Sequence, residues 1–225
     1  MSLPARSIVF AAIAVAAASP ASAADEDAQV WLTTGVRASF APRLDGAADI
    51  VIRLSDDRDG VGQAIGRASL SYRISESVSV EGVYGYFVSY DQGDVTQREH
   101  RPAQSIVWRM GEAAGGNWTA RLRVEQRIVE GADEVAIRVR PRISYAHPLG
   151  GDITLSASSE AFVSLNDTDF GAQSGFGGLR NTVGVAVPVN DHISVEVGYL
   201  NQWSHRQRQT DTIVHAATAT VLLRL

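Results

Sequence analysis

Cysteine is absent from this chain, and its absence excludes both a disulfide framework and any metal site built on thiolates. Lysine is absent as well, so arginine supplies every fully basic side chain. The net charge of −5 argues against a general nucleic-acid-binding protein, and we predict no nucleic-acid partner. After residue 23 no apolar run approaches the roughly 20 residues of a transmembrane helix. The chain is therefore either soluble or inserted in lipid as a β-barrel, which satisfies its backbone hydrogen bonds internally.

The first residues have the features of a cleaved signal peptide. Arg6 precedes the apolar run 8–18, and Ala21-Ser22-Ala23 matches an A-x-A cleavage site. The apolar run is too short to anchor the chain in a bilayer. We therefore predict a signal peptide at 1–23 and a single exported domain at 24–225.

Two segments in the middle of the chain alternate strictly between apolar and polar residues. Between residues 118 and 128, Leu122, Val124 and Ile128 lie on one parity, and Arg121, Arg123, Glu125 and Arg127 lie on the other. Between residues 135 and 145, one parity is again apolar, and the other carries Arg138, Arg140 and Arg142. A period of two is typical of a β-strand with one apolar and one polar face.

The same alternation recurs along the chain. It predicts strands at 29–40, 47–55, 64–74, 77–90, 98–110, 117–129, 135–147, 152–165, 179–189, 192–204 and 212–225. Strands of this length exceed the usual globular mean of about 5–6 residues and match the roughly 9–11 residues that cross a membrane. We predict an all-β fold, a single antiparallel up-and-down transmembrane β-barrel of 10–12 strands.

The strand count raises a difficulty, because bacterial single-chain barrels have an even number of strands. Either 29–40 is not a wall strand, which leaves ten, or a further strand is undetected, which makes twelve. A first strand at 29–40 would also start at the outer end of the barrel, which is unexpected for an exported chain. The sequence leaves both counts open.

The connections and the aromatic residues favour the outer membrane of a Gram-negative cell. Short connections alternate with longer, more acidic ones, as periplasmic turns alternate with external loops in outer-membrane barrels. Aromatic residues cluster near the predicted strand ends, as in the girdles at membrane interfaces: Tyr72, Tyr90, Trp108, Trp118, Tyr145 and Trp203. The expected partners are outer-membrane lipid, lipopolysaccharide and, during insertion, the barrel-assembly machinery.

If the apolar faces contact lipid, the polar faces line the lumen. The predicted lumenal charge network consists of Arg121, Arg123, Glu125, Arg127, Arg138, Arg140, Arg142 and Glu160. Further lumenal charges are expected at Arg67, Arg73, Arg109, Arg180, Glu81 and Glu196. The charges either brace a plugged scaffold as ion pairs or form an anion-selective constriction or acidic-ligand site, since arginine forks match carboxylate and phosphate. A single network predicts that charge-neutral substitutions of Arg127 and Glu160 destabilise the barrel non-additively.

Two alternatives to a membrane scaffold or narrow pore remain. A soluble periplasmic barrel that binds a lipid-like ligand would turn its apolar parity inward, and periodicity alone does not say which parity is inside. A lipid-modifying hydrolase is the third hypothesis, because His192-Ile-Ser194 has the His-x-Ser spacing of outer-membrane lipid A deacylases. These residues, however, begin a strand beside a predicted periplasmic turn and share the parity of Glu196. The histidines also lack zinc-ligand spacing, so we predict no metal site. We predict no enzyme activity and no cofactor.

Several segments, in order, resemble one protein family. They are Gln29-Val-Trp31, Glu99-His100-Arg101, Arg121-Leu-Arg-Val-Glu-Gln-Arg-Ile128, Arg138-Val-Arg-Pro-Arg-Ile-Ser-Tyr145, Pro148-Leu-Gly, Ser159-Glu160-Ala-Phe162 and Gly198-Tyr-Leu-Asn-Gln202. Together they resemble the domain-of-unknown-function 2490 family, although Ser159 stands where that pattern has an acid. The resemblance implies an exported outer-membrane β-barrel-like protein and implies no reaction.

Overall fold

The computed structural model describes residues 24–207 and 209–225. The predicted signal peptide at 1–23 lies outside the described residues. The eleven strands are β1 (Asp25–Ala41), β2 (Leu44–Ser55), β3 (Gly60–Arg73), β4 (Val78–Asp91), β5 (Asp94–Ala113), β6 (Gly116–Val129), β7 (Val135–Gly150), β8 (Ile153–Ser164), β9 (Gly175–Pro188), β10 (Ile193–Ser204) and β11 (Thr212–Arg224). Within this part of the chain no helix is long and apolar enough to span a membrane.

The strands form one closed barrel in which each strand pairs with its neighbours in sequence. All of these pairs are antiparallel except the closing pair of β1 and β11, which is parallel from Asp25↔Thr212 to Arg37↔Arg224. The all-β up-and-down barrel is therefore confirmed, and eleven strands fall within the predicted range. The expectation of an even count is wrong, because a parallel closing pair lets an odd number of strands complete the ring.

Several strands are longer than the alternation predicts. β1 begins at Asp25 instead of residue 29, and β9 begins at Gly175 instead of residue 179. The alternation did not predict the start of β9, because a β-bulge interrupts the strand there. The pairing with β8 shifts between Phe162 and Val163. Gly178 has φ 145° there, a conformation that side-chain-bearing residues rarely adopt. Local propensity thus predicts a loop where tertiary pairing continues the strand.

The strand ends define two rims of the barrel. The long-loop end carries the start of β1 and the connections 56–59, 92–93, 130–134, 165–174 and 205–211. The short-turn end carries the end of β11 and the connections 42–43, 74–77, 114–115, 151–152 and 189–192. The predicted long and short connections do lie at opposite ends. The connections 56–59 and 92–93, however, are tight turns, because β3 begins at Gly60 instead of residue 64 and β5 begins at Asp94 instead of residue 98.

The structure decides which parity is inside. Outward apolar residues such as Ile50, Leu70 and Val197 are 61%, 56% and 57% exposed, respectively. Lumenal carboxylates are almost fully enclosed, since Glu125 is 3% and Glu160 is 4% exposed. The apolar side chains therefore form an outer belt, and the charges face the lumen.

Aromatic residues stand on the outside at both rims. Near the short turns the rings of Trp118 and Tyr145 lie 4.8 Å apart, and Trp108 is 50% exposed. At the long-loop end Trp203 and Phe176 have ring centroids 5.8 Å apart. This is the arrangement that the sequence predicts for two aromatic girdles.

Two histidines interrupt the outer belt, and each is paired with a tyrosine hydroxyl. The hydroxyl oxygen of Tyr84 lies 2.6 Å from Nδ1 of His100, and that of Tyr199 lies 2.5 Å from Nδ1 of His215. A polar group on an apolar surface is costly unless it is hydrogen-bonded. The pairs therefore reduce the polarity that these histidines would otherwise present on the belt.

Candidate functional site: the charged lumen

The centre of the lumen is held by two carboxylates that share one arginine. Glu125 accepts hydrogen bonds from Arg138 at 2.5 Å and from Arg140 at 2.7 Å. Glu160 accepts from the other Arg140 terminal nitrogen at 2.8 Å and from Arg121 at 2.5 Å. We call these five residues the central cluster. Arg140 is its bridge, because its two terminal nitrogens bind different carboxylates.

A second ion-pair group lies nearer the long-loop end. Glu99, which is 1% exposed, binds Arg127 at 2.6 Å and Arg101 at 2.7 Å. The guanidinium carbon of Arg127 also lies 5.6 Å from the ring centroid of Phe170, which belongs to the β8–β9 loop. Arg127 thus has its own carboxylate and no direct bond to the central cluster.

The eight predicted network residues all face the lumen, but they are not one continuously bonded network. Five of them make the central cluster, and Arg127 belongs to the Glu99 group. Arg123 binds Glu81 at 2.8 Å and donates to the hydroxyl of Ser105 at 2.9 Å. Arg142 makes no ion pair within 4.0 Å among the described residues. The prediction of one network is therefore corrected to separate groups, and a functional role for the residues stays a prediction.

Aromatic rings fill the space between the guanidinium groups. Arg138, Arg140 and Arg180 each lie 5.1 Å from the ring centroid of Phe162. Arg53 lies 3.7 Å above the ring of Trp31 and donates to Gln63 at 2.9 Å. The cation–π contact stabilises the desolvated guanidinium of Arg53, the one of these four arginines without a carboxylate within 4.0 Å in the part of the chain that the structure describes.

The opposite wall of the barrel supplies apolar packing. Trp31, Leu200 and Ala216 form one buried cluster. Val51, Ile65 and Phe87 form another. Arg101 lies 3.7 Å from the ring centroid of Phe87, and Arg180 lies 5.1 Å from that of Trp31, so side chains of the two walls contact each other across the middle of the barrel.

Three contributors to this centre were missed in the sequence: Glu99, Arg101 and Arg53. The parity of Arg109 in β5 already places Glu99 and Arg101 inside. The signal is weak, because residues 98–101 are all charged or histidine and do not alternate. Arg53 shares its parity with Asp49, Val51 and Ser55, so the inner face of its strand mixes polar and apolar residues and gives no clear signal.

The long-loop end is covered by loops that bind one another. Asp169 of the β8–β9 loop accepts a hydrogen bond from the backbone of Asp133 in the β6–β7 loop at 2.9 Å. Gln173 of the same β8–β9 loop accepts from the backbone of Gln207 in the β10–β11 loop at 3.1 Å. Three neighbouring loops are therefore tied together at the long-loop end.

Asp211 holds the β10–β11 loop against the closing strand pair. It accepts hydrogen bonds from the Arg206 backbone at 3.1 Å, from Trp203 Nε1 at 3.0 Å and from His205 Nδ1 at 3.0 Å. Its carbonyl accepts from the Asp25 backbone at 2.9 Å. The bonds from the Arg206 backbone, Trp203 and His205 lower the pKa of the Asp211 carboxyl from its ordinary value.

We expect an acid-dependent release of this loop. A carboxyl whose folded pKa is lowered contributes stability above its unfolded pKa of about 3.9 and loses it as pH falls through the folded value. The fluorescence of Trp203, taken as the difference between wild type and Trp203→Phe, should therefore change below about pH 4. Asp211→Asn should show the released signal at every pH, and an unchanged acid transition in that variant would contradict this role.

A cavity of about 960 Å³ opens at the short-turn end. Charged residues line it from both sides of the barrel: Arg121, Arg123 and Arg142 from β6 and β7, and Arg37, Asp45, Asp49, Arg67 and Arg224 from β1, β2, β3 and β11. Small residues lie among them: Gly35, Ala47, Ser69, Ala186 and Thr220. The small side chains leave space here, whereas long and aromatic ones fill the centre. We call the cavity at the short-turn end the cup. The middle of the lumen, in contrast, is packed with side chains.

The residues of the hydrolase hypothesis lie at the rim of this cavity. The Nδ1 atom of His192 lies 3.1 Å from the backbone carbonyl of Arg224. Ser194 lines the lumen, on the parity of Glu196, as the sequence predicts. Among all the described residues, including these, no group of three His, Cys, Asp or Glu side chains is placed to hold a metal ion.

Comparisons with known proteins point to one family. The profile of the family described as "Protein of unknown function (DUF2490)" matches residues 28–212. An uncharacterised protein of Methylorubrum extorquens is 28% identical over 202 residues, and the match covers 88% of each chain. No solved structure matches the chain. The resemblance predicted from the sequence motifs is confirmed, and it brings no assigned reaction with it.

Proposed function

The chain belongs to the DUF2490 family of proteins of unknown function, and we propose that it is a structural β-barrel of the outer membrane whose lumen is closed at its centre. The observation that carries this proposal is the division of side chains between the two faces of the wall. Apolar residues such as Ile50, Ile106 and Leu122 face outward. The ion pairs of Glu99, Glu125 and Glu160 are enclosed.

The strand lengths support a membrane-spanning wall. The shortest strands have 12 residues, as β2, β8 and β10 do. At about 3.4 Å per residue such a strand is roughly 40 Å long. A barrel tilt of about 35–45° leaves roughly 30 Å along the axis, enough for an apolar band about 25 Å tall.

The soluble alternative requires the opposite arrangement. A carrier of lipid-like ligands encloses its apolar side chains and exposes its arginines to water. Here the exposed large residues of the wall are apolar, whereas Arg123 is 8% exposed. A continuous apolar belt in water would far exceed the few hundred Å² typical of a soluble monomer.

The packing of side chains in the lumen favours a structural scaffold and argues against an open pore. Eight-strand barrels are just filled by side chains, and 16-strand barrels leave a channel, so an eleven-strand wall can be closed by large residues. Arg140 bridges the centre, and Phe162 and Trp31 pack against the surrounding guanidinium groups. We propose that the short-turn end faces the periplasm and that the tied loops face outward.

The first test is cellular fractionation combined with a gel-shift of unboiled against boiled protein extracted in detergent. We expect the chain in the outer-membrane fraction, with a faster-migrating unboiled band. Recovery in the soluble periplasmic fraction without a heat-dependent shift would contradict the membrane proposal.

The second test is single-channel recording in planar bilayers. The wild type should show no stable conductance, because Arg140, Phe162 and their neighbours close the centre. The double variant Arg140→Ala/Phe162→Ala should conduct if it keeps its heat-dependent gel shift, and Phe176→Ala, on the outer face, serves as the control. Steady conductance by the wild type would contradict a closed lumen and favour the narrow anion pore.

A further inference from the structure

Arg142 differs from the other inward arginines of β6 and β7, each of which binds a carboxylate. In the strand register it lies between Arg121 on β6 and Glu160 on β8. The Glu160 oxygens, however, are already bound by Arg121 and Arg140. Arg142 therefore has a like charge on one side and an occupied carboxylate on the other.

The Arg142 guanidinium is also incompletely hydrogen-bonded. Its Nε is buried, and no partner for it is found among the described residues. A partly buried guanidinium without an anion is costly, because it loses part of its water and gains no compensating charge. Its neighbours do have carboxylate partners: Arg121 binds Glu160, and Arg123 binds Glu81. Among the inward arginines of β6 and β7, Arg142 is thus the one without a carboxylate partner in the described chain.

The cavity at the short-turn end brings such an anion within reach. Arg142 lines this cavity of about 960 Å³ with five other arginines, Arg37, Arg67, Arg121, Arg123 and Arg224. Four carboxylates line it as well, Asp45, Asp49, Glu81 and Glu196, so the arginines are in excess. Serine and threonine hydroxyls on the opposite wall can donate or accept hydrogen bonds: Thr33, Ser69, Ser194 and Thr220. The volume is within the range of small-molecule sites, about 300–1,000 Å³.

We propose that this cup binds a small oxyanionic solute, with a carboxylate or phosphate group on Arg142 and Arg121. The planar fork of arginine matches both anions through paired N–H···O bonds. Glu196 also lines the cavity and makes no ion pair within 4.0 Å in the described chain. It limits the net positive charge of the cavity, and its own charge opposes the binding of an anion. Access from the periplasm rests on the proposed orientation, but binding itself does not.

The test is isothermal titration calorimetry of the purified barrel in detergent, with citrate and inorganic phosphate as the two probes and glycerol as the neutral control. We expect one saturable site for at least one anion and none for glycerol. Citrate binding alone would assign a carboxylate ligand, and phosphate binding alone a phosphorylated one. Binding by neither anion would overturn the proposal, whatever the location of the protein in the cell.

Matched variants locate the site. Arg142→Gln should weaken binding about tenfold or more, because it removes a charged hydrogen-bond donor, and Arg142→Lys should restore part of the loss. Glu196→Gln should strengthen binding, since it removes a like charge from the ligand. Arg206→Gln, in a loop at the opposite end, should change nothing.

A variant that keeps every charge tests the site without removing an ion-pair partner, so a loss of binding is not caused by misfolding through a lost charge. Ala186→Leu adds bulk to the cavity wall and should weaken binding while leaving the heat-dependent gel shift intact. Unchanged affinity in both Arg142→Gln and Ala186→Leu would place the anion elsewhere and overturn the proposal. Weaker binding in Glu196→Gln would overturn the assignment to a simple anion.

Discussion

Replacing Glu160 with glutamine is expected to destabilise the barrel by about 3–5 kcal/mol, the usual cost of removing one partner from a buried ion pair. Glu160 is 4% exposed and binds Arg121 at 2.5 Å and Arg140 at 2.8 Å. Glutamine has the same shape, but its amide nitrogen would point a donor at a guanidinium group. Urea unfolding followed by tryptophan fluorescence measures the loss. Glu76→Gln, in an exposed short turn, is the control and should be nearly neutral.

A double-mutant cycle separates the ion-pair groups. Glu125→Gln and Glu160→Gln should be non-additive, by about 0.5–3 kcal/mol, because both carboxylates share Arg140. Arg127→Gln and Glu160→Gln should be close to additive, because Arg127 binds Glu99 instead. Strong coupling between Arg127 and Glu160 would restore the single network that the sequence predicts.

Replacing Leu122 with arginine should destabilise the barrel by about 2–4 kcal/mol in lipid, the cost of a charge at the centre of the bilayer. Leu122 is 50% exposed, lies in the middle of β6 and points outward. Unfolding by urea in phosphatidylcholine vesicles measures the effect.

The matched control lies on the same strand and the same face. Gln126→Arg is two outward positions nearer the long-loop rim, where the cost of arginine falls to about 0–1 kcal/mol. Equal effects of the two substitutions would mean that no depth-dependent apolar medium surrounds the wall. An unchanged free energy of unfolding in Leu122→Arg would contradict the membrane proposal and favour the soluble barrel.

The sequence determined the features that depend on local alternation. In β6 and β7 the arginines recur at every second residue, so their common face could be assigned without coordinates. Strand length and the two kinds of connection then favoured an up-and-down barrel. Where alternation fails, as at residues 98–101 and at the bulge near Gly178, strand ends and inner faces were misjudged or missed.

Tertiary structure alone decided the remaining features, because each depends on residues far apart in the chain. The parallel pairing of β1 with β11 made the count odd, and closure placed the charged parity inside. Alternation lists the arginines of the lumen but does not say which carboxylate each one reaches. Glu160 binds Arg121 from a distance of 39 residues along the chain, and Arg142, directly opposite Glu160 in the register, is left without it. Period-two patterning is a property of single strands, whereas ion pairing and the cavity depend on how neighbouring strands are staggered around a closed ring.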